Sequence, residues 1–285
     1  MFIHGPLEAN PPVSKSIPHG EYASFEPEGD IRRFVGETLY FDISFLWFKN
    51  AASAQVGFYE KNGTYFSYLS AQTKGIVGFF TAYRKHIYKS TLDIIDGGRR
   101  VRANRFERKV IEGGKVEKSD HHFDYKTRIH KWFEYVNDDL VETGQEEIPL
   151  GTTFDDVLTA FYNFRNGVYG RVERGKKYDI TTIPDKGFQK ISVEINDAAE
   201  EEKIRKQEGR NNRNEFLVDI IVPKKLFNTR SGKIRLWSSK HLIPLESTIK
   251  DYIFLGDLHA EFRKRDYERA TLTGVSTTSG IPSRP

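Results

Sequence analysis

The sequence predicts a mainly β protein built on one large, curved antiparallel sheet. Aromatic residues make up 13% of the 285 residues, with 21 Phe and 14 Tyr, and aromatic side chains favour the pleated surface of strands. Many segments alternate apolar and polar residues with a period of two, and glycine-containing turns separate them at short intervals, as in an antiparallel meander. Because the apolar face of an open sheet must be covered, we expect an unclosed barrel with one or two helices packed on its concave face.

Three regions differ in composition. Residues 1–35 contain five prolines and little periodicity, so they predict an extended, proline-rich N-terminal tail or tether. Residues 36–265 carry the strand patterns and predict a single β-rich domain. Residues 266–285 are rich in Thr, Ser, Gly and Pro near their end, so we expect a disordered C-terminal tail.

The first three strands are the clearest. Every odd position from Leu39 to Trp47 is apolar, which predicts a strand with one buried face. Residues 52–59 and 64–73 continue the alternation. Asn62-Gly63 lies between them and is a preferred two-residue hairpin turn, because both positions tolerate positive φ.

Two segments have helical spacing instead. Residues 76–83 predict a short amphipathic helix, and residues 153–166 predict a longer one. Thr152 or Thr153 is placed to cap the longer helix, Asp155 and Asp156 suit its positive N-terminus, and Gly167 follows its end. Its apolar stripe, which must lie on an apolar surface, comprises Phe154, Val157, Leu158, Phe161 and Phe164.

The remaining pattern is strand and connector. Strands are predicted near 86–95, 100–110, 116–125, 127–136, 177–183, 188–195, 215–222, 233–239, 243–250 and 252–262. Residues 198–213 are almost all charged or amide, which predicts an exposed connector.

Composition excludes several classes of function. The net charge of +4 arises from interleaved Lys, Arg, Asp and Glu, whereas nucleic-acid binding needs a concentrated basic patch, so no nucleic-acid partner is expected. The absence of Cys excludes disulfides and thiolate zinc sites. There is no run of 18 apolar residues, so no transmembrane segment is expected. The N-terminal residues lack a leader pattern, which fits either a cytoplasmic protein or a mature chain whose leader has been removed.

The sequence offers few candidates for chemistry. Asp120, His122 and Asp124 share one strand face and could hold a cation, although a solvated strand face explains them more simply. Glu146-Glu147 and Asp155-Asp156 are paired carboxylates that solubility and helix capping explain more simply than glycoside chemistry does. Neither a GxSxG nucleophile elbow nor a phosphate-binding loop is present. We therefore predict no catalytic residues, no metal and no cofactor.

The excess of aromatic residues is the remaining signal. A large core accounts for most of them, but some are candidates to line a groove for an apolar ligand. The candidate lining residues are Trp47, Phe79, Phe80, Phe161 and Phe164.

Three motifs resemble a known family. Gly36-Glu37-Thr38-Leu39-Tyr40-Phe41, the segment from Asp156 to Arg165, and Leu236-Trp237-Ser238-Ser239 followed by Ile243-Pro244-Leu245-Glu246 resemble the bacterial domain of unknown function 3108. That family is itself similar to periplasmic lipoprotein carriers, which are unclosed β-barrels with an apolar cavity plugged by helices. The resemblance covers about residues 36–262 and carries over no catalytic residue.

The resemblance implies a periplasmic or outer-envelope protein with a lipid-like ligand. We therefore expect a non-enzymatic protein that binds an apolar or lipid-like molecule on the concave face of its sheet. The alternatives are a structural or protein-interaction module with an envelope protein as its partner, and a polysaccharide-binding protein.

Overall fold

The computed structural model of the chain describes residues 29–45, 48–183, 189–224, 229–252 and 256–267. These residues form one sheet of fourteen strands, all of them paired antiparallel, and three α-helices. The strands are β1 Glu37–Phe45, β2 Phe48–Lys61, β3 Thr64–Thr73, β4 Lys85–Ile95, β5 Arg100–Glu112, β6 Lys115–Asp124, β7 Ile129–Val136, β8 Asp139–Glu147, β9 Lys177–Thr182, β10 Gln189–Ile195, β11 Glu215–Ile221, β12 Lys233–Ser239, β13 Pro244–Tyr252 and β14 Gly256–Tyr267. The helices are α1 Gly75–Phe80, α2 Val157–Arg165 and α3 Ala198–Gln207.

The sheet is two meanders joined in the middle. The strand order is β8-β7-β6-β5-β4-β3-β2-β1-β14-β13-β12-β11-β10-β9, so β1 pairs with both β2 and β14. The first and last strands of the domain therefore meet at the centre of the sheet. Within the described residues, β8 and β9 pair with one neighbour each, so the sheet is not closed. The predicted large antiparallel sheet with an open edge is confirmed.

Helix α2 lies in the connection between the two edge strands and packs against β3, β4 and β5. Its buried face contributes Leu158 and Tyr162 to the main core. The Tyr162 ring packs edge-on against Phe58 of β2, with ring centroids 5.0 Å apart. The prediction that this helix packs on the inner face of the sheet is confirmed.

The start of α2 differs from the prediction. The helix begins at Val157, and the cap is Asp156 instead of Thr152 or Thr153. The Asp156 carboxylate accepts hydrogen bonds from the backbone N–H groups of Leu158 (2.8 Å) and Thr159 (3.2 Å). Phe154 belongs to the predicted apolar stripe, but it is buried in the loop before the helix. The predicted end is confirmed, because the helix stops at Arg165 and Gly167 has φ 75°.

The main core includes residues upstream of Gly36. A 3-10 turn spans Ile31–Phe34, and both Ile31 and Phe34 are fully buried in the main core. The last part of the predicted N-terminal tail is therefore part of the domain. Residues 1–28 and 268–285 lie outside the described residues.

The segment predicted as an exposed connector is partly a helix. Helix α3 occupies residues 198–207, with Asp197 as its cap. Glu, Lys, Arg, Gln and Ala are all good helix formers, so the polar composition that suggested a connector also favours a helix. Ile204 packs with Leu217 and Trp237 in a small separate core, which holds the helix on the sheet.

Strand β8 was also missed. All nine of its residues are exposed or half-buried, and its sequence lacks the period-two alternation of apolar and polar residues that marks a strand with one buried face. By contrast, the Asn62-Gly63 hairpin is confirmed, with φ of 54° and 77° at the two positions.

None of the helices in the described ranges is long and apolar enough to cross a membrane.

Candidate functional site

A cavity of about 340 Å³ lies between α2 and the inner face of the sheet. Both meanders supply its walls: Phe41 and Ile43 come from β1, Ile191 and Val218 come from β10 and β11, and Phe161 comes from α2. Strands far apart in the sheet order can face one space only because the sheet curves around α2. The volume lies at the lower end of the range typical of small-molecule pockets.

Alanines leave the space open. Ala54 of β2 and Ala71 of β3 are a cross-strand pair, and both line the cavity. Ala52 and Ala260 line it as well. Protein cores are normally packed to crystal-like density, so a row of methyl groups on an inner face creates room that larger aliphatic side chains would fill.

Two of the predicted lining residues face the cavity. Phe161 and Phe164 of α2 both line it and are both half-buried. The Phe164 ring also packs edge-on against Tyr178 of β9, with centroids 5.4 Å apart. The helix thus holds two aromatic rings over the space enclosed by the sheet.

The other three predicted lining residues are not placed in the cavity wall. Phe79 of α1 is 71% exposed and is not among the lining residues. Trp47 and the side chain of Phe80 lie outside what the structure describes. Val77 of α1 does line the cavity.

Polar side chains line the cavity at the start of β4. Arg84 immediately precedes the strand, and His86 and Tyr88 follow it at alternate positions, so all three point to one face. Arg84 Nη1 pairs with Glu112 Oε2 at 3.3 Å, and His86 Nδ1 lies 3.4 Å from the Tyr88 hydroxyl. These polar lining residues were not predicted. Their sequence signal is the alternation within β4, but that alternation does not say which face is inside.

An ion pair fixes α2 beside the cavity. Arg165 is a lining residue, and its guanidinium makes two contacts with the Glu37 carboxylate of β1, at 2.5 and 3.0 Å. The same guanidinium lies over the rings of Phe34 and Phe161, with distances of 4.6 and 5.2 Å to the ring centroids. A charge this deeply buried needs such partners, because burial of an unpaired charge costs several kcal/mol.

The paired carboxylates before α2 are structural. Asp155 accepts hydrogen bonds from the Arg100 guanidinium (3.0 Å) and the Tyr169 hydroxyl (2.6 Å), and burial raises its pKa to about 6. Asp156 accepts one from the Ser90 hydroxyl at 2.6 Å, and burial raises its pKa as well. Capping accounts for Asp156, and both side chains are buried.

A second polar cluster lies on β6, β7 and β8. His121 Nδ1 is 3.0 Å from His130 Nε2, and His130 Nδ1 is 3.0 Å from Glu146 Oε1. Burial and the neighbouring His130 lower the pKa of His121 to about 3, and burial lowers that of His130. Glu146, His130 and His121 are thus linked in one chain of polar contacts. Within the described part of the chain, neither imidazole hydrogen-bonds to a hydroxyl group that could act as a nucleophile.

The structure brings His122 Nε2 within 3.1 Å of Asp120 Oδ1 but does not gather Asp120, His122 and Asp124 at one point. Asp120 binds the Arg105 guanidinium through both oxygens, at 2.8 and 2.7 Å. Asp124 instead accepts hydrogen bonds from the backbone N–H groups of Lys126 and Thr127 in the following turn. Across the described ranges, no group of three or more His, Asp or Glu side chains is arranged to hold a metal ion.

A match to a protein-family model identifies the family of the chain. The model described as "Protein of unknown function (DUF3108)" matches residues 40–262. The chain belongs to the DUF3108 family. This DUF3108 match runs from within β1 to within β14 and includes the twelve strands between them, α2 and the whole cavity wall.

The DUF3108 chain is also similar to a solved structure. This is the crystal structure of a beta-barrel-like protein of domain of unknown function DUF1849 from Brucella abortus, with 11% identity and a TM-score of 0.45. The similarity covers 83% of the DUF3108 chain and 99% of the other chain. No curated protein sequence matches.

Proposed function

We propose that this protein binds a lipid-like or other apolar molecule in the cavity between α2 and the curved sheet. The observation that carries the proposal is the cavity itself, whose wall is mostly aliphatic and aromatic and is drawn from both meanders and from α2. Burial of apolar ligand surface there contributes roughly 25 cal/mol per Å².

The arrangement suits binding better than catalysis. The buried ionisable groups beside α2, Glu37 with Arg165 and Arg100 with Asp155, are paired with each other. A catalytic site needs a nucleophile or base that reaches a bound substrate. The His121–His130 cluster is not among the residues that line the cavity. We therefore propose a non-enzymatic role.

The proposed location is the bacterial envelope. It rests on the resemblance of the family to periplasmic carriers, whose unclosed barrels also enclose an apolar cavity. Fractionation of the native organism, with detection of the chromosomally encoded protein, tests this location directly. Recovery only in the cytosolic fraction would contradict it.

The binding proposal is tested by filling the cavity. Ala54→Leu/Ala71→Leu adds bulk to a cross-strand pair in the wall. We expect native mass spectrometry to find apolar species bound to the wild type and not to the variant. Titration with hexadecanol, monitored by displacement of an apolar fluorophore, should show at least about tenfold weaker binding to the variant, since the added side chains occupy the ligand volume.

Ala199→Leu is the matched control, because Ala199 lies on the exposed side of α3, away from the cavity. It should bind hexadecanol like the wild type. Ala260→Leu provides an independent filling variant if the double variant folds poorly. Equal hexadecanol affinity for the wild type and both filling variants would contradict binding in this cavity.

Strand β8 favours a second candidate function, that of a protein-interaction module. It is an edge strand of nine residues, and Leu140 and Val141 are exposed on it. An exposed edge can add a strand from another protein. Val141→Pro would block such pairing; a loss of protein partners without a loss of hexadecanol binding would support this candidate.

A further inference from the structure

The end of the sheet that carries α1 exposes aromatic side chains. Phe79 of α1 is 71% exposed, and Tyr83, three residues after the helix, is 53% exposed. The Tyr83 ring lies so close over Gly78 that a Cβ atom added to Gly78 would be 2.8 Å from it. Gly78 precedes Phe79, so both exposed rings are presented from adjoining positions. Large apolar side chains exposed together mark a contact site for an apolar partner.

Helix α1 is fixed to its neighbours, so this exposure is a property of the fold. The backbone N–H of Lys74 donates to the Ala51 carbonyl of β2 at 2.7 Å, and that of Gly113 donates to the Ala82 carbonyl at 3.0 Å. These bonds join the two ends of the α1 segment to β2 and to the β5–β6 hairpin. Val77 is buried and packs with Ala51 in a small core, which determines the side of α1 that faces solvent.

The cavity reaches this same end of the sheet. The lining residues that lie here are Phe45, Ala51, Val77 and Leu258. Phe45 ends β1 and pairs with Leu258 near the start of β14. One side of α1 therefore forms part of the cavity wall through Val77, while Phe79 faces solvent.

The strands around α1 are basic. Residues 43–92, which run from β1 into β4, contain six Lys or Arg residues and one acidic residue, Glu60. Glu60 lies near the far end of β2, nine residues beyond Ala51, which is about 30 Å along the strand. Lys49 and Lys74 lie near Ala51, through the chain and through the Lys74 hydrogen bond, and both are exposed. The exposed rings are therefore flanked by positive charge.

The adjoining β5–β6 hairpin does not offset this charge. Its acidic residues near the tip have basic partners: Glu112 Oε2 lies 3.3 Å from Arg84 Nη1, and Glu117 Oε1 lies 2.7 Å from Lys115 Nζ. The excess of lysine beside α1 is therefore available to an anionic surface.

We propose that Phe79, Tyr83, Lys49 and Lys74 dock the protein on the surface of an anionic phospholipid bilayer. The two rings enter the interface, and the two ammonium groups lie at the lipid phosphates. Exposed aromatic side chains beside lysines are typical of a segment that binds a lipid surface. Docking here places the bilayer next to the end of the cavity. It goes beyond the proposed binding function and does not require a ligand in the cavity.

Vesicle co-sedimentation tests the docking with the full chain. We expect the wild type to sediment with vesicles of equimolar phosphatidylglycerol and phosphatidylcholine. With phosphatidylcholine alone, or in high salt, most of it should stay in solution. Phe79→Ser should weaken binding to the mixed vesicles about tenfold or more, because less apolar surface leaves water. Lys49→Gln/Lys74→Gln should weaken it about tenfold or more as well, since attraction of each lysine to an anionic surface accounts for about fivefold.

Matched variants at the opposite end of the sheet are the controls. Leu150, which is 82% exposed in the loop after β8, is the match for Phe79. Lys61 and Lys126 are exposed at turns of that end and are the match for the two lysines beside α1. Leu150→Ser and Lys61→Gln/Lys126→Gln should each bind the mixed vesicles within about twofold of the wild type, because neither changes the docked surface.

A fluorescent label reports which end of the sheet touches lipid. The chain has no Cys, so Phe79→Cys and Leu150→Cys each allow a single nitrobenzoxadiazole label. Emission from the label at position 79 should shift to shorter wavelength on the mixed vesicles, and emission from position 150 should not change. This readout does not depend on a loss of binding.

Several results would overturn the docking: no sedimentation of the wild type with the mixed vesicles, equal sedimentation with phosphatidylcholine alone, equal binding of Phe79→Ser, or equal shifts from both labels. A wild-type dimer that Phe79→Ser converts to a monomer would also overturn it, because a second copy would then cover the rings. Hexadecanol binding without vesicle binding would overturn the docking alone. Vesicle binding through Phe79 without hexadecanol binding would overturn only the proposed function.

Discussion

Arg165 and Glu37 form a bidentate ion pair between residues 128 positions apart in the sequence, and both side chains are only 1% exposed. Glu37 begins β1 at the centre of the sheet, and Arg165 ends α2 in the connection between the two edge strands. The pair therefore joins the helix that covers the cavity to the strand where the two meanders meet.

Because both charges are buried, we expect removal of either partner of the Glu37–Arg165 ion pair to destabilise the fold strongly. Arg165→Met should lower the free energy of unfolding by about 3–5 kcal/mol, because Glu37 is left buried and unpaired. The double variant Arg165→Met/Glu37→Gln should recover part of the lost stability, since the unpaired carboxylate of Glu37 is then replaced by a neutral amide. Urea denaturation measures both changes.

The control for this prediction is the exposed pair of Lys203 and Glu200 on α3, with Nζ–Oε2 of 3.0 Å. Lys203→Ala should cost less than about 1 kcal/mol. Similar losses for Lys203→Ala and Arg165→Met would show that burial does not determine the importance of the Glu37–Arg165 pair.

The two N-cap aspartates should differ in their effects. Asp156 and Asp197 each accept hydrogen bonds from two backbone N–H groups of their helix, but Asp156 is buried and also accepts from the Ser90 hydroxyl. Asp156→Ala should cost about 2–4 kcal/mol, and Asp197→Ala about 1 kcal/mol. Urea denaturation of the two variants checks the difference, and equal losses would contradict a role of Asp156 in anchoring α2 to β4.

Phe161 and Leu158 both line the cavity from one helix but differ in how far they are buried. Leu158 is almost fully buried in the main core, whereas Phe161 is half-buried beneath the cavity. Phe161→Ala should cost about 1–2 kcal/mol without ligand, because part of its surface already faces open space. Leu158→Ala should cost about 2–5 kcal/mol.

Hexadecanol titration completes this comparison. Phe161→Ala should weaken binding, because the ring forms part of the wall of the cavity. A full loss of about 3–5 kcal/mol at Phe161, with hexadecanol affinity unchanged, would indicate a tightly packed ring and favour the structural module over the binding protein.

The buried histidines should make the protein less stable in mild acid. The folded-state pKa of His121 and that of His86 are both lowered to about 3, below the ordinary value of 6.5. Between these values the unfolded chain binds more protons than the folded chain, so the free energy of unfolding falls as the pH is lowered from 7 towards 3. Asp155, with its pKa raised to about 6, acts in the opposite direction between about pH 4 and 6.

Comparison of His121→Phe with the wild type isolates the histidine contribution. The variant should lose less stability between pH 7 and pH 5, with a slope smaller by up to about 1.4 kcal/mol per pH unit. Urea denaturation at pH 7, 6 and 5 measures the slopes. Parallel slopes for the two proteins would show that His121 takes up no additional proton on unfolding.

The sequence alone determined the local elements. Alternation with period two predicted β1 to β3, because the two faces of a strand meet different environments. The apolar stripe predicted α2, and Asn62-Gly63 predicted its hairpin. The same reasoning missed α3 and β8, because a mainly polar helix and a strand exposed on both faces lack a strong apolar period.

Only the tertiary structure decided how these elements form a site. The pairing of β1 with β14, the packing of α2 on β3, β4 and β5, and the Glu37–Arg165 ion pair all join distant parts of the chain. The cavity arises where alanines of β2 and β3 meet apolar side chains of β10 and β11. No local pattern specifies such a meeting, because it depends on the curvature of the whole sheet around one helix.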